Sequence, residues 1–192
     1  SKDGSGEGWT WTAETATLRL TSDITSNILF SGGTGDVNLV VEGDRTITGN
    51  FQQGMGKLKI SGGQLTVNFS GSNTSALWGK GGLEIEDASV NVNTSETLAN
   101  AVSVYEGDLT MSSGKLTVTA SGDNSGGIVI DGNGGINISG TANVSANVTG
   151  EYGQGICAPN ITVDGGSLAG TSSQYIGISA HKSLTIKGGT VT

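Results

Sequence analysis

One short phrase recurs through most of this chain. Residues 57–67 read KLKISGGQLTV, residues 108–118 DLTMSSGKLTV, and residues 183–192 SLTIKGGTVT. Aligned on the first apolar residue, the copies begin at Leu58, Leu83, Leu109, Ile136, Ile161 and Leu184, with gaps of 25, 26, 27, 25 and 23 residues. Self-similarity at such a period is the mark of a solenoid or a propeller and outranks any local reading.

Each copy has the same internal grammar. A second apolar residue follows two places later, at Ile60, Ile85, Met111, Ile138, Val163 and Ile186. That period of two is the signature of a strand with one buried face. A corner comes next, at Gly62-Gly63, Asp87-Ala88, Ser113-Gly114, Gly140-Thr141, Gly165-Gly166 and Gly188-Gly189. A sharp bend needs a residue that tolerates positive φ, as Gly does freely and Asp less so. A second strand follows, at Leu65/Val67, Val90/Val92, Leu116/Val118, Ala142/Val144, Leu168 and Val191. In this alignment the Ile136 copy is one residue short and its bend tighter. After a polar loop a third run appears: Ala76-Leu77-Trp78, Val102-Ser103-Val104, Ile128-Val129-Ile130, Ile156-Cys157-Ala158 and Ile176-Gly177-Ile178.

A unit of strand, corner, strand, loop, strand and turn cannot stand alone. It buries too little apolar surface to offset the entropy of ordering it, and its backbone groups lack partners. Stacking solves both problems, because each strand can pair in parallel with its copy one coil on, about 4.8 Å away. The expected fold is therefore all-β: a single-stranded right-handed parallel β-helix with three short strands per coil of about 25 residues. Its hand follows the general crossover preference. An antiparallel sandwich would explain short strands but not this period. No window sustains a helical period, and the 34 glycines fit tight turns.

The whole chain, 1–192, reads as one domain. Residues 1–16 form an N-terminal cap in which Trp9 and Trp11 share one face and can cover the open apolar end. Residues 16–56 form shorter coils, and residues 57–192 the regular ones. The last residues stop inside a strand pattern, so further coils, further domains or an end-to-end contact are expected there.

Charge narrows the partners. The net charge is −8, and the seven lysines with Arg19 and Arg45 form no run. A nucleic-acid partner would need a basic stripe. There is no apolar run long enough to span a bilayer. The single cysteine, Cys157, reads as a buried small hydrophobe, and His181 as a surface-turn histidine without an Asp or Ser partner. Catalysis is not expected: no paired carboxylates, Ser/His/Asp set or phosphate loop is evident.

Two candidate sites follow. Sugars are held by aromatic platforms with polar neighbours. Trp78 and Tyr105, at the end of the third strand in adjacent coils, and Tyr152 and Tyr175, in loops before it, could line one edge. The competing reading is local packing over loop backbone. Glu106, Asp108 and Asp131 lie one coil apart and form a candidate Ca²⁺ site, against the reading of a solvated turn. GGTGDV (32–37) is similar to a calcium-binding glycine repeat, but its Asp falls one place early and it occurs once.

The phrases LTIKGGTVT, NITVDGGSLAG, GDLTMSSGKLTV and GIVIDGNGGINISG resemble the repeats of bacterial extracellular β-helix proteins described as carbohydrate-binding, which are pectate-lyase-like in fold. GWTWTAETATLRL and VNLVVEGDRTITG look like segments of repetitive surface proteins of gut-type bacteria. The resemblance implies an adhesin-like module, extracellular or on the cell surface, that binds a polysaccharide or host glycan without catalysis. It also implies Ca²⁺ at acidic pairs before the third strand, where this chain reads NSGGI, YGQGI and QYIGI. The alternatives are a polysaccharide lyase or glycoside hydrolase of this fold, and a structural stalk of a larger surface protein.

Overall fold

A computed structural model describes residues 2–31 and 35–192, so the first three residues of GGTGDV lie outside it. The described residues hold strands and no helix, and none could cross a membrane as a helix. The strands wind into a parallel β-solenoid with three sides per coil. On side one, Leu18, Leu39, Ile60, Ile85, Met111, Ile138, Val163 and Ile186 form a single column. The first two steps of that column are 21 residues and the later ones 23–27. Beside it, Leu58, Leu83, Leu109, Ile136, Ile161 and Leu184 stack in direct register.

Side two stacks Leu65, Val90, Leu116, Val144, Leu168 and Val191. Side three stacks Phe51, Leu77, Val102, Ile128, Ile156 and Ile178. The three sets of columns face inward and fuse into one apolar core. Outward, side two carries uncharged partners such as Asn68 with Asn93 (3.0 Å) and Asn147 with Thr171 (2.8 Å).

Register corrects the sequence alignment at three places. The Ile136 copy is one residue longer at its bend, because Val144 and not Ala142 takes the place of Leu116, with a register shift between Gly140 and Asn143. The extra residue is absorbed as a bulge. On side three, Leu77 rather than Ala76 lies over Val102, so Trp78 pairs with Ser103. Ile178 rather than Ile176 lies over Ile156. Loops of varying length before side three hide this register from the sequence.

Two kinds of corner need glycine for different reasons. Between sides one and two the need is conformational: Gly62 and Gly114 have φ of 96° and 77°, and Asp87 takes the same role at 50°. Between sides three and one the need is closeness. A Cβ on Gly56, Gly81, Gly107 or Gly134 would run into the backbone of the preceding glycine in the column, and none of these has positive φ. Gly107→Ala is therefore expected to lose about 2–3 kcal/mol, read as a lower melting temperature in calorimetry, by prising two coils apart. An unchanged melting temperature would contradict the column.

The N-terminal end is closed differently. Strand Gly4–Gly6 pairs antiparallel with Trp9–Thr12, which pairs antiparallel with Thr17–Leu20 on the first coil. Trp9 and Trp11 pack on the core, and Trp11, Phe30 and Phe51 stack in series with ring centres 5.1 and 5.9 Å apart. Trp9, Trp11, Leu18 and Phe30 also line a half-open pocket of about 880 Å³ at this end.

Candidate functional site

Backbone placement comes first at the corner between sides two and three. The residues two places before the third-side pairs Ser75↔Asn100 and Gly126↔Gln154 are Asn73, Leu98, Asn124 and Tyr152. All four are left-handed, with φ of 58°, 59°, 55° and 55°. At two of them the bend turns the amide along the solenoid axis. Leu98 N donates to Asp123 O (3.0 Å) and Asn124 N donates to Glu151 O (2.7 Å), each one coil on. Asp123 reinforces the step, its Oδ1 accepting from Glu151 N at 2.9 Å.

Asn is the side chain that best tolerates this conformation after glycine; Leu and Tyr tolerate it poorly. Yet Leu98 and Tyr152 are not tucked into the core to repay that cost. Leu98 is 53% exposed and Tyr152 66%. Tyr175, 56% exposed, stands one register place beyond the position over Tyr152, its amide held by Ser172 Oγ at 3.0 Å. The result is an edge of four successive coils, about 4.8 Å apart. It displays Leu98, Asn124, Tyr152 and Tyr175, flanked by Asp123, Glu151 and Gln174.

Of the aromatic residues marked in the sequence, Tyr152 and Tyr175 come together. Trp78 does not join them: half-buried, it aligns through Ser103 and Val129 with Cys157, five register places and three coils from Tyr152. Tyr105, 51% exposed, lies just past strand Asn100–Val104, at the far end of side three. Leu98 and Asn124 were invisible as site residues, since neither is aromatic. The one available signal was their fixed distance before the third strand, which the variable loops blur.

The acids of the candidate calcium site are engaged separately. Asp108 Oδ1 accepts from Gly135 N at 2.7 Å, and its Oδ2 from Asn137 Nδ2 at 3.2 Å. Glu106 pairs with Lys80 at 3.5 Å. Asp131 donates its amide to Val104 O at 2.8 Å. Among the described residues no three His, Cys, Asp or Glu side chains gather to hold a metal. Calcium needs six to eight converging oxygens, and this arrangement does not fit it. Asp108 instead caps an amide of the following coil, as Asp36 Oδ1 does for Lys57 N (2.9 Å) and Asp23 Oδ1 for Thr46 N (2.8 Å).

Cys157 and His181 also differ from the sequence reading. Cys157 is only half-buried, on the outer surface of side three, and its Sγ lies 3.0 Å from His181 Nε2. His181 sits within strand Ile176–Val191 rather than in a turn. Burial, and then the charge of Asp131, push the Cys157 thiol above its ordinary value.

Comparison with protein families decides the wider affiliation. A family model described as carbohydrate-binding domain-containing protein matches residues 11–192. The chain belongs to that family. Neither the curated proteins nor the solved structures compared with it gave a match. Membership in this carbohydrate-binding domain family suggests a glycan as partner.

Proposed function

We propose that the chain is a non-catalytic, adhesin-like module, secreted or at a bacterial cell surface, that binds a polysaccharide or host glycan along the edge of Leu98, Asn124, Tyr152 and Tyr175. The observation that carries this reading is the pairing of strain with exposure. Left-handed Leu and Tyr cost stability, and side chains this exposed recover little of it by burial. Residues that are costly to the fold and presented to solvent suit a binding role. A tyrosine ring offers an apolar face for a sugar ring and a hydroxyl for its polar rim. Asn124, Gln174, Asp123 and Glu151 supply hydrogen-bond partners beside it. Repetition about every 4.8 Å suits an extended chain of sugars better than a single one.

Glycan binding on a panel of plant and mucin polysaccharides tests the proposal. Retardation in polysaccharide gels is expected for the native chain, unchanged by EDTA. It should weaken about tenfold in Tyr152→Ala and in Tyr175→Ala, the loss of one stacking contact of about 1.4 kcal/mol. Tyr105→Ala, at the far end of side three, should bind as the native chain does. Equal losses in all three variants would overturn the assignment to this edge. Release of reducing ends or unsaturated products from the same glycans would overturn the non-catalytic reading.

A further inference from the structure

Side three carries a second constellation, well separated from the aromatic edge. Cys157 pairs in register with Ser179, and His181 follows two residues on in the next coil. The register shifts between Ala158 and Asn160, where the single residue Pro159 faces both His181 and Lys182. Proline has no N–H for the ladder, so a bulge is natural there. Such bulges re-aim side chains, and this one leaves the imidazole against the thiol: Cys157 Sγ and His181 Nε2 are 3.0 Å apart. Lys182 is drawn away, its Nζ 3.3 Å from Asn133 Oδ1. One coil in the other direction, Asp131 places a negative charge close enough to act on the thiol.

From this geometry we infer that Cys157 Sγ and His181 Nε2 form a two-ligand site for a borderline-to-soft divalent cation of the zinc class. A sulfur and an imidazole nitrogen are the donors such ions prefer, whereas calcium takes oxygens. Ligand distances of about 2.3 Å for sulfur and 2.0–2.1 Å for nitrogen in a tetrahedral site set the two atoms about 3.6 Å apart. The pair must open by roughly half an ångström, within the reach of χ rotations on two side chains that solvent can reach. On binding, the thiol proton leaves to solvent, the thiolate and the neutral imidazole each donate one lone pair, and water fills the remaining positions. The nearby Asp131 carboxylate favours a cation over an anion. This site is independent of the glycan reading: neither residue belongs to the aromatic edge.

Titration of the reduced, intact chain with Co²⁺ as the spectroscopic probe, and then with Zn²⁺ in competition, tests it. A sulfur-to-cobalt charge-transfer band in the near ultraviolet is expected, saturating at one ion per chain and abolished by one equivalent of Zn²⁺. Cys157→Ser should lose the band. His181→Ala should keep the thiol but weaken the affinity at least tenfold, with unchanged circular dichroism and unchanged glycan retardation. Zn²⁺ should also slow the alkylation of Cys157 by iodoacetamide. Absence of the band, or equal affinity in His181→Ala, would overturn the inference.

Discussion

Leu109→Ala is expected to destabilise the chain by about 4 kcal/mol, near the upper end of the range for a buried leucine cut back to alanine. Leu109 is fully buried in a central coil, stacked between Leu83 below and Ile136 above, so a cavity there has walls that cannot close. The same replacement at Leu29 should cost about 1 kcal/mol or less. Leu29 lies in strand Ile28–Phe30, between two residues that pack on the core, and is 60% exposed. The two variants carry identical chemistry on opposite faces of their strands and differ in what covers them. Denaturant titration of both reads the contrast through the shift in midpoint, provided the slope is unchanged. Similar losses at the two positions would mean that the inward and outward faces are not assigned as described.

The second large effect has opposite signs in two measurements. The double change Leu98→Asn with Tyr152→Asn should raise stability by about 1 kcal/mol, because Asn meets the left-handed backbone at lower cost than Leu or Tyr. Asn73 and Asn124 already show that the corner accepts it, at φ of 58° and 55°. The same variant should bind glycan at least tenfold more weakly, having lost its apolar faces. A change that strengthens the fold while removing binding is what a stability–function trade-off produces. If stability fell instead, the exposed Leu98 and Tyr152 would be contributing packing, and the case for display would fail.

Much of this was legible in the sequence because the repeat writes side one and side two in nearly constant spacing. Leu58 to Leu184 recur at 23–27 residues, and their corners repeat Gly or Asp where positive φ is needed. The shared face of Trp9 and Trp11 was legible for a related reason: the two alternate along one strand, and both pack on the core. Side three was harder. Its loops change length and its third run is too short to fix register unaided, so Trp78 was placed one position off and Ile176 two.

The same loops concealed half of the edge: Tyr152 and Tyr175 were marked as aromatic, but only register shows that Leu98 and Asn124 share the corner of Tyr152. The thiol–imidazole pair was illegible altogether. Cys157 and His181 are 24 residues apart, and although Pro159 marks an irregularity in a strand, it does not say which residues the bulge opposite it brings together. Glu106 and Asp108 were read as solvated or calcium-binding, yet Glu106 pairs with Lys80 and Asp108 accepts from an amide of the following coil. A backbone N–H leaves no mark in a sequence.

Amide chemical-shift mapping during titration with a retained polysaccharide fragment tests the central claim most directly. The perturbed amides should cluster at Leu98, Asn124, Tyr152 and Tyr175 with their immediate neighbours, a line crossing four coils at one corner. Shifts spread over the outward residues of side two, or gathered around the pocket lined by Trp9 and Trp11, would contradict it.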